Sequence, residues 1–457
     1  MTLFGVLVGA ALLVALFRWT TRLPWLLSLS LGAPASATVV AAGQSVAAFQ
    51  LILLVAAPIA MLGWIRTRHN PFDWPGFPAL VVLVAWTGLV TLAGPVVFDG
   101  LDVLSPRGGI DEQIADPSPL AFTVSNLAQV AYLVLGAVLI CLLAGYRRLT
   151  PHLLAPGLGL AMALSAWRLL HDKAGIPYPL SFFDNSTGCK YIDTTSTGAY
   201  RLRGVFPEPA GLALYSIAAL VLAVAMIART RGWARAGYLA MAVVAAVNLF
   251  YARSGTAVIA GAAIAAMAVA VAVERAFRRG AAVMPLAIMG CAATTAFLVF
   301  YQPLVSYLGG LIGDKVASTS YFSRTEADLF SLRLAVDTFG LGVGLGSNRP
   351  SSLWPMLISC VGVVGTVAYL VLVVTLMVRA ARVPTWRPMF WVLLAVLTTK
   401  SVAGSNLSDP LLVLSLGLCA YAAARGSGAE EPGDAPAEAT SGDEAAAPER
   451  SLSGLAQ

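Results

Sequence analysis

The fold is set by apolar runs such as Leu353-Trp-Pro-Met-Leu-Ile-Ser-Cys-Val-Gly-Val-Val-Gly-Thr-Val-Ala-Tyr-Leu-Val-Leu-Val-Val-Thr-Leu-Met-Val378, which contains no charged residue. A helix of about 20 apolar residues is long enough to cross the hydrocarbon core of a bilayer. Arg379 and Arg382 follow directly, as basic residues do at the cytoplasmic end of a span. The run therefore predicts a transmembrane helix.

Similar runs recur along the chain. It is 58% hydrophobic and 11% charged, with a mean hydropathy of +0.80, whereas an average soluble domain is about 25% charged. We predict an all-α integral membrane protein with about 12 transmembrane helices. The predicted spans are 2–18, 44–65, 78–97, 120–145, 153–171, 208–228, 236–252, 255–274, 281–303, 353–378, 388–404 and 409–424. Residues 23–41, diluted by Gly, Pro and Ser, are a candidate thirteenth span.

The short loops place their basic residues on one face of this bundle, which the positive-inside rule assigns to the cytoplasm. These residues are Arg66, Arg68, Arg147, Arg148, Arg229, Arg231, Arg235, Arg275, Arg278, Arg279, Arg379, Arg382 and Arg387. The opposite face receives the longer loops 98–119, 172–207 and 304–352. Residues 1–424 thus form a polytopic domain. The acidic segment 425–457 has few large apolar residues, which predicts a disordered cytoplasmic tail.

Five scattered cysteines and three isolated histidines show neither a disulfide framework nor the spacing of a metal site. We therefore expect no metal and no cofactor.

Arginines on the outer face run against the usual charge bias. The first pair lies in Arg201-Leu-Arg-Gly-Val-Phe-Pro-Glu-Pro209, just before a span. Its prolines suit an extended entry into a helix, with Glu208 near the positive N-terminal end. Glu208 could simply complement the helix dipole while Arg201 and Arg203 anchor at the interface. Alternatively, two guanidinium groups beside a helix N-terminus would bind an anion.

A second segment opens with Phe322-Ser-Arg-Thr-Glu-Ala-Asp-Leu-Phe-Ser-Leu-Arg333. Ser323 and Glu326 form a capping-box pattern, which predicts that a short amphipathic helix begins here and that Glu326 is a cap. Arg324 and Asp328 are one turn apart and could pair. The apolar face expected to pack on the bundle consists of Leu329, Leu332, Val336 and Phe339.

A third segment follows, Gly340-Leu-Gly-Val-Gly-Leu-Gly346, and leads into Asn348 and Arg349. Its glycines would let the backbone approach another helix or a ligand closely, but no βαβ context supports a dinucleotide site. Arg253, in a tight turn, would snorkel or contact the same anion. Lys400 and Asp409, around the last outer turn, are weaker candidates.

These three segments, in this order, resemble the bacterial O-antigen polymerases (Wzy type) and O-antigen ligases (WaaL type). The family pattern is an Arg-x-x-Gly-x-Phe-x-x-Pro segment before a span, then an arginine that begins a helix, then a Gly-x-Gly-x-Gly run. It is matched by Arg201 to Pro209, by Arg324 and by Gly342 to Gly346, so the resemblance covers roughly residues 200–380. A ligase-like histidine after the glycines is missing, which favours a polymerase.

The resemblance implies a GT-C-like fold and a glycosyltransferase of the bacterial inner membrane with a periplasmic active face. It would polymerise undecaprenyl-pyrophosphate-linked repeat units into O-antigen, exopolysaccharide or capsule, beside a flippase and a chain-length regulator. Nucleic acid is not an expected partner. One alternative is a ligase that transfers polymer to an acceptor. From another class, a lipid-glycan flippase or secondary transporter predicts ionisable residues near mid-span, and these spans carry almost none.

The resemblance also suggests roles for individual residues. Arg201 and Arg324 would hold the pyrophosphate, assisted by Arg203 or Arg349, because preorganised cations stabilise the charge that develops on the leaving group. The candidates for the base that receives the acceptor proton are Glu208 first and Asp328 second. The remaining contacts to the acceptor or the loops would come from Asn348 and Arg253.

Overall fold

A computed structural model describes residues 1–16, 19–41, 44–67, 72–105, 117–187, 189–194, 198, 200–279 and 319–427. The predicted span 281–303 and nearly all of the tail 425–457 lie outside these residues. The helices described here are α1 (Leu3–Leu16), α2 (Trp19–Leu29), α3 (Ala48–Thr67), α4 (Phe77–Val97), α5 (Val124–Ala144), α6 (Leu154–Ala174), α7 (Leu180–Phe183), α8 (Pro209–Ile227), α9 (Gly232–Ala252), α10 (Gly255–Arg279), α11 (Thr319–Asp337), α12 (Leu353–Met356), α13 (Gly362–Arg382), α14 (Arg387–Val402) and α15 (Pro410–Ser427).

Five helical segments of the described chain are long and apolar enough to cross a membrane. They are Phe77–Val97, Val124–Ala144, Pro209–Ile227, Gly232–Ala252 and Leu353–Arg382. Shorter apolar helices are Leu3–Leu16, Ala48–Leu62, Gly255–Met267 and Pro410–Gly426. The predominance of helix and these spans support an all-α, multi-pass membrane protein, while the count of 12 stays a prediction.

Residues 23–41 do not form a thirteenth spanning helix. Helix α2 ends at Leu29, and a 3-10 turn, Ser30–Gly32, follows it. Pro34 then disfavours helical backbone at the residue before it. The chain turns into an antiparallel hairpin of β1 (Ala37–Ala41) and β2 (Gln44–Ala47). A second small ribbon pairs β3 (Asp102–Val103) with β4 (Ser118–Pro119).

Helices α8 and α15 are the centre of the bundle. Helix α8 packs against α6, α9 and α14, and α15 packs against α5 and α13. Both are apolar around most of their circumference, as expected of helices surrounded by other helices. Their N-terminal ends, together with those of α5 and the C-terminal end of α14, border the cavity described below.

Helix α11 begins at Thr319, ahead of Ser323, so the predicted capping box does not mark its N-terminus. The predicted packing face was also wrong: Val336 is 75% exposed and Phe339 88% exposed. The opposite face is buried instead, because small residues and hydroxyls that bond to their own helix allow close approach. The buried residues are Ala327, Ser331, Leu334, Ala335 and Thr338.

The glycine run threads between helices, as its composition predicted. The amides of Val343 and Gly344 donate to the carbonyls of Ser359 and Cys360, both at 2.9 Å. Those carbonyls lie in a one-turn π-helix, Leu357–Val361, where the regular helical ladder is interrupted. The run therefore uses free carbonyls to fix the segment that leads to Asn348 and Arg349.

Gly344→Ala should destabilise the protein. Gly344 has a φ of 93°, and a Cβ there would lie 2.7 Å from the Cα of Thr91. Strain and overpacking together should cost about 2–4 kcal/mol, lowering the thermal midpoint of the purified protein by several degrees. Gly237→Ala is the matched control, since a Cβ at Gly237 meets nothing within 4 Å. Equal midpoints for the two variants would contradict this packing.

Candidate functional site

A cavity of about 470 Å³ opens where the predicted outer segments meet. Pockets of roughly 300–1,000 Å³ are typical of small-molecule sites. Its wall comes from the N-terminal ends of α5, α8 and α15, from α11, from the segment after the glycine run and from the turn 403–409. The charged residues in the wall are Glu208, Arg324, Arg349, Lys400 and Asp409.

Glu208 and Arg324 form an ion pair that joins the first and second sequence segments. Glu208 is the N-cap residue of α8, with extended backbone, and Pro209 is the first helical residue, as predicted. Its side chain makes no capping bond; instead Oε2 lies 3.3 Å from Nη2 of Arg324. The two side chains are 45% and 26% exposed. An ion pair this open to the cavity is available for exchange with a charged ligand.

Arg201 lies near this pair, close enough for both charges to act on it. Its Nε donates to the carbonyl of Ala252 at 3.4 Å, at the end of α9. Burial lowers the pKa of Arg201, and the positive charges of Arg324 and Arg253 lower it further, while Glu208 acts in the opposite direction. Arg201 thus has two like charges and one carboxylate near it, and an anion in the cavity would offset the repulsion between the guanidinium groups.

Arg253 and Arg349 complete the cationic surroundings. Arg253 ends α9 in the left-handed region, with a φ of 45°, and is exposed. Arg349 is exposed in the cavity wall, and its guanidinium has no hydrogen bond or ion pair to any residue that the structure describes. Its backbone amide is held by the carbonyl of Leu104 at 2.9 Å. The position of Arg349 is therefore fixed while its charge faces the cavity.

Asn348 links three neighbouring segments of the cavity wall through hydrogen bonds. Its Oδ1 accepts from the amide of Leu104 at 3.1 Å, and its Nδ2 donates to the hydroxyls of Ser331 at 2.8 Å and Ser359 at 3.1 Å. Both amide hydrogens are engaged in protein contacts. Asn348 therefore has a structural role in the cavity wall, while a contact from it to the acceptor stays a prediction.

Asp328, the second candidate for the base, is occupied by hydrogen bonds from two serines. Its Oδ1 accepts from the amides of Ser351 at 2.7 Å and Ser352 at 3.2 Å, and its Oδ2 accepts from their hydroxyls at 2.9 Å and 2.7 Å. A carboxylate offers about four lone-pair directions, and four donors occupy them. Asp328 instead ties α11 to the start of α12.

Arg203 also has a different role from the predicted one. It is buried, forms an ion pair with both oxygens of Asp184, donates to the carbonyl of Phe206 and stacks 4.6 Å from the ring centre of Tyr191. Hydrogen bonding to Asp184 raises the pKa of Arg203 against the effect of burial. Asp184 also accepts from Arg168 at 3.2 Å. This network docks the loop that carries Arg201, so we assign Arg203 a structural role, and its contact to pyrophosphate stays a prediction.

Arg203→Met should destabilise the protein rather than weaken a ligand contact. It removes one partner of a buried ion pair, a change that typically costs about 3–5 kcal/mol. The additional substitution Asp184→Asn removes the unpaired charge and should recover part of the loss. The measurement is the thermal midpoint in detergent. A stable Arg203→Met protein that no longer binds undecaprenyl pyrophosphate would contradict this assignment.

Lys400 and Asp409 form the second ion pair of the cavity. The Lys400 side chain is 2% exposed, and its Nζ lies 3.7 Å from Oδ2 of Asp409. Sequence reasoning ranked both low, although a lysine near the end of the apolar run 388–404 is a costly placement that signals function. The neutral polar residues in the wall, such as Ser125, Gln129 and Asn406, carried no signal in the sequence.

Comparison of the sequence with protein-family models and with curated proteins finds no match.

Proposed function

We propose that the protein is a multi-pass glycosyltransferase of the bacterial inner membrane. It polymerises undecaprenyl-pyrophosphate-linked repeat units into O-antigen, exopolysaccharide or capsule at the periplasmic face, in a GT-C-like membrane fold. The observation that carries the proposal is the Glu208–Arg324 ion pair in the wall of a polar cavity, with Arg201 and Arg349 nearby. Two segments far apart in the sequence thus supply one carboxylate and several cations.

The cations suit a pyrophosphate. Arginine can bind phosphate oxygens in a bidentate manner, and Arg349 already faces the cavity with its charge unpaired in the described structure. When the donor binds, its pyrophosphate would compete with Glu208 for Arg324. The arginines would then lie beside the leaving group while Glu208 is released towards the acceptor.

The released carboxylate of Glu208 suits the acceptor hydroxyl. In the proposed step the hydroxyl oxygen attacks the anomeric carbon, and the bond from that carbon to the pyrophosphate oxygen breaks. The electron pair leaves with the lipid pyrophosphate, and the hydroxyl proton passes to Glu208. Donors preorganised towards the developing charge lower the barrier most effectively, which is the role given to Arg324 and Arg201.

One observation favours a second candidate, a lipid-glycan flippase or coupled transporter. Lys400, buried in the last turn of α14, is paired with the partly exposed Asp409, and ionisable residues inside membrane proteins commonly mark transport pathways. A ligase that moves finished polymer to another acceptor would use the same cavity as a polymerase.

Glycan analysis of a strain that lacks the gene separates these functions. Single repeat units accumulating on undecaprenyl pyrophosphate at the outer leaflet are expected for a polymerase. Finished polymer left on the lipid would indicate a ligase, and single units confined to the inner leaflet would indicate a flippase. An unchanged glycan profile would contradict all three.

A further inference from the structure

The Lys400 ammonium lines the cavity with its hydrogen-bonding capacity unused. Its nearest carboxylate oxygen, on Asp409, is 3.7 Å away, which is too far for a hydrogen bond. Within the described part of the chain, no other side chain or carbonyl accepts from it. An ammonium has three donors, and Lys400 lines the cavity, where a ligand oxygen could accept from it. Lys400 is therefore placed to donate a hydrogen bond to an oxygen atom of a ligand.

Asp409 holds Lys400 in this position and balances its charge. Its Oδ1 caps α15 by accepting from the amides of Leu411 at 2.9 Å and Leu412 at 3.2 Å. Its Oδ2 faces Lys400. The pair is therefore fixed in place and electrically neutral, with a donor and an acceptor side by side.

The rest of the cavity has a different charge character. Arg324 and Arg349 line it, with Arg201 close behind, and Glu208 is the carboxylate among them. A pyrophosphate is attracted to that cationic wall. A sugar hydroxyl both donates and accepts, so it matches the neutral pair. Neighbouring neutral groups, Ser405 and Asn406, add to the same part of the wall.

We propose that Lys400 and Asp409 form a sugar-binding subsite that recognises hydroxyl groups of the lipid-linked glycan, separate from the arginines that bind pyrophosphate. The backbone connects the two parts, since the amide of Gly404 donates to the carbonyl of Ser351 at 2.8 Å. This subsite rests on the proposed function, and it specifies which end of the substrate each wall contacts.

The test compares two ligands on the purified full-length protein in nanodiscs. One is undecaprenyl pyrophosphate alone; the other is the lipid-linked glycan extracted from the strain lacking the gene. Lys400→Met should bind the first as wild type does and the second about tenfold or more weakly, the loss expected for one charged hydrogen bond. Arg324→Ala should weaken both. An equal loss for both ligands in Lys400→Met, or no loss for either, would overturn the subsite.

A double variant separates binding from a purely structural ion pair. Lys400→Met with Asp409→Asn leaves no unpaired charge and keeps an oxygen to cap α15, and such replacements are often neutral for stability. The subsite predicts that the double variant still binds the glycan weakly, and wild-type affinity would overturn it. Wild-type protein that binds neither ligand would instead show that the proposed function fails.

Discussion

Arg324→Ala should reduce polymer in cells by about 10²–10³-fold, the loss typical of removing one donor that stabilises a developing negative charge. Arg324 projects into the cavity, and its ion pair with Glu208 is exposed enough to be exchanged for a pyrophosphate. The measurement is the glycan ladder of a complemented deletion strain, with the amount of protein in the membrane determined in parallel.

Two further variants make this result specific. Arg324→Lys should also fail, since a lysine ammonium cannot reproduce bidentate contact with phosphate oxygens. Arg333→Ala, an exposed arginine on the same helix, is the matched control and should leave the ladder unchanged. A normal ladder with Arg324→Ala would remove this arginine from the site.

Glu208→Gln should lower the rate of transfer by about 10²–10⁴-fold, the usual contribution of a general base, while the protein still binds donor. The substitution keeps the size of the side chain and removes its charge. Undecaprenyl pyrophosphate should bind at least as tightly as to wild type, because a negative charge that competes with it for Arg324 is removed. Single-turnover transfer and ligand binding, measured on the same preparation, separate these effects.

The stability of Glu208→Gln should be close to that of wild type. The side chain makes no capping bond, and an exposed ion pair contributes at most about 1 kcal/mol. Glu326→Gln, an exposed residue of α11, is the control. If Glu208→Gln transfers sugar at the wild-type rate, the proton goes elsewhere and Glu208 has only a positioning role.

The sequence predicted the helical membrane architecture because the hydrocarbon core of the bilayer requires long apolar helices. Basic residues at the cytoplasmic ends of these helices mark their orientation. It also predicted the start of α8 from Pro207 and Pro209, and the close approach of the glycine run to other helices. Both depend on local backbone chemistry, which is visible in a single segment.

Contacts between segments that are far apart in the sequence could not be predicted from local patterns. Arg201 and Arg203 are two residues apart in one motif, yet only Arg203 meets Asp184, and only the folded loop decides this. Asp328 looked available for chemistry until Ser351 and Ser352 were brought against it. Helix α11 buries mostly small and hydroxyl-bearing residues together with Leu334, because these allow close helix packing.

For Lys400 the sequence pattern understated the importance of the residue. In the sequence, a lysine close to the end of an apolar run looks the same as one whose side chain reaches the membrane interface, so local pattern does not mark Lys400 as a site residue. The structure gives it a partly buried partner, Asp409, and a place in the cavity wall.

The most direct test of the central claim is reconstitution. Purified wild-type protein in nanodiscs is incubated with the lipid-linked glycan extracted from the deletion strain, and the products are sized by mass spectrometry. We predict chains of several repeat units on one lipid, with undecaprenyl pyrophosphate released in proportion, and chain growth about 10²–10³-fold slower with Arg324→Ala. Substrate that stays a single repeat unit with active wild-type protein, or equal chain growth in the variant, would contradict the account.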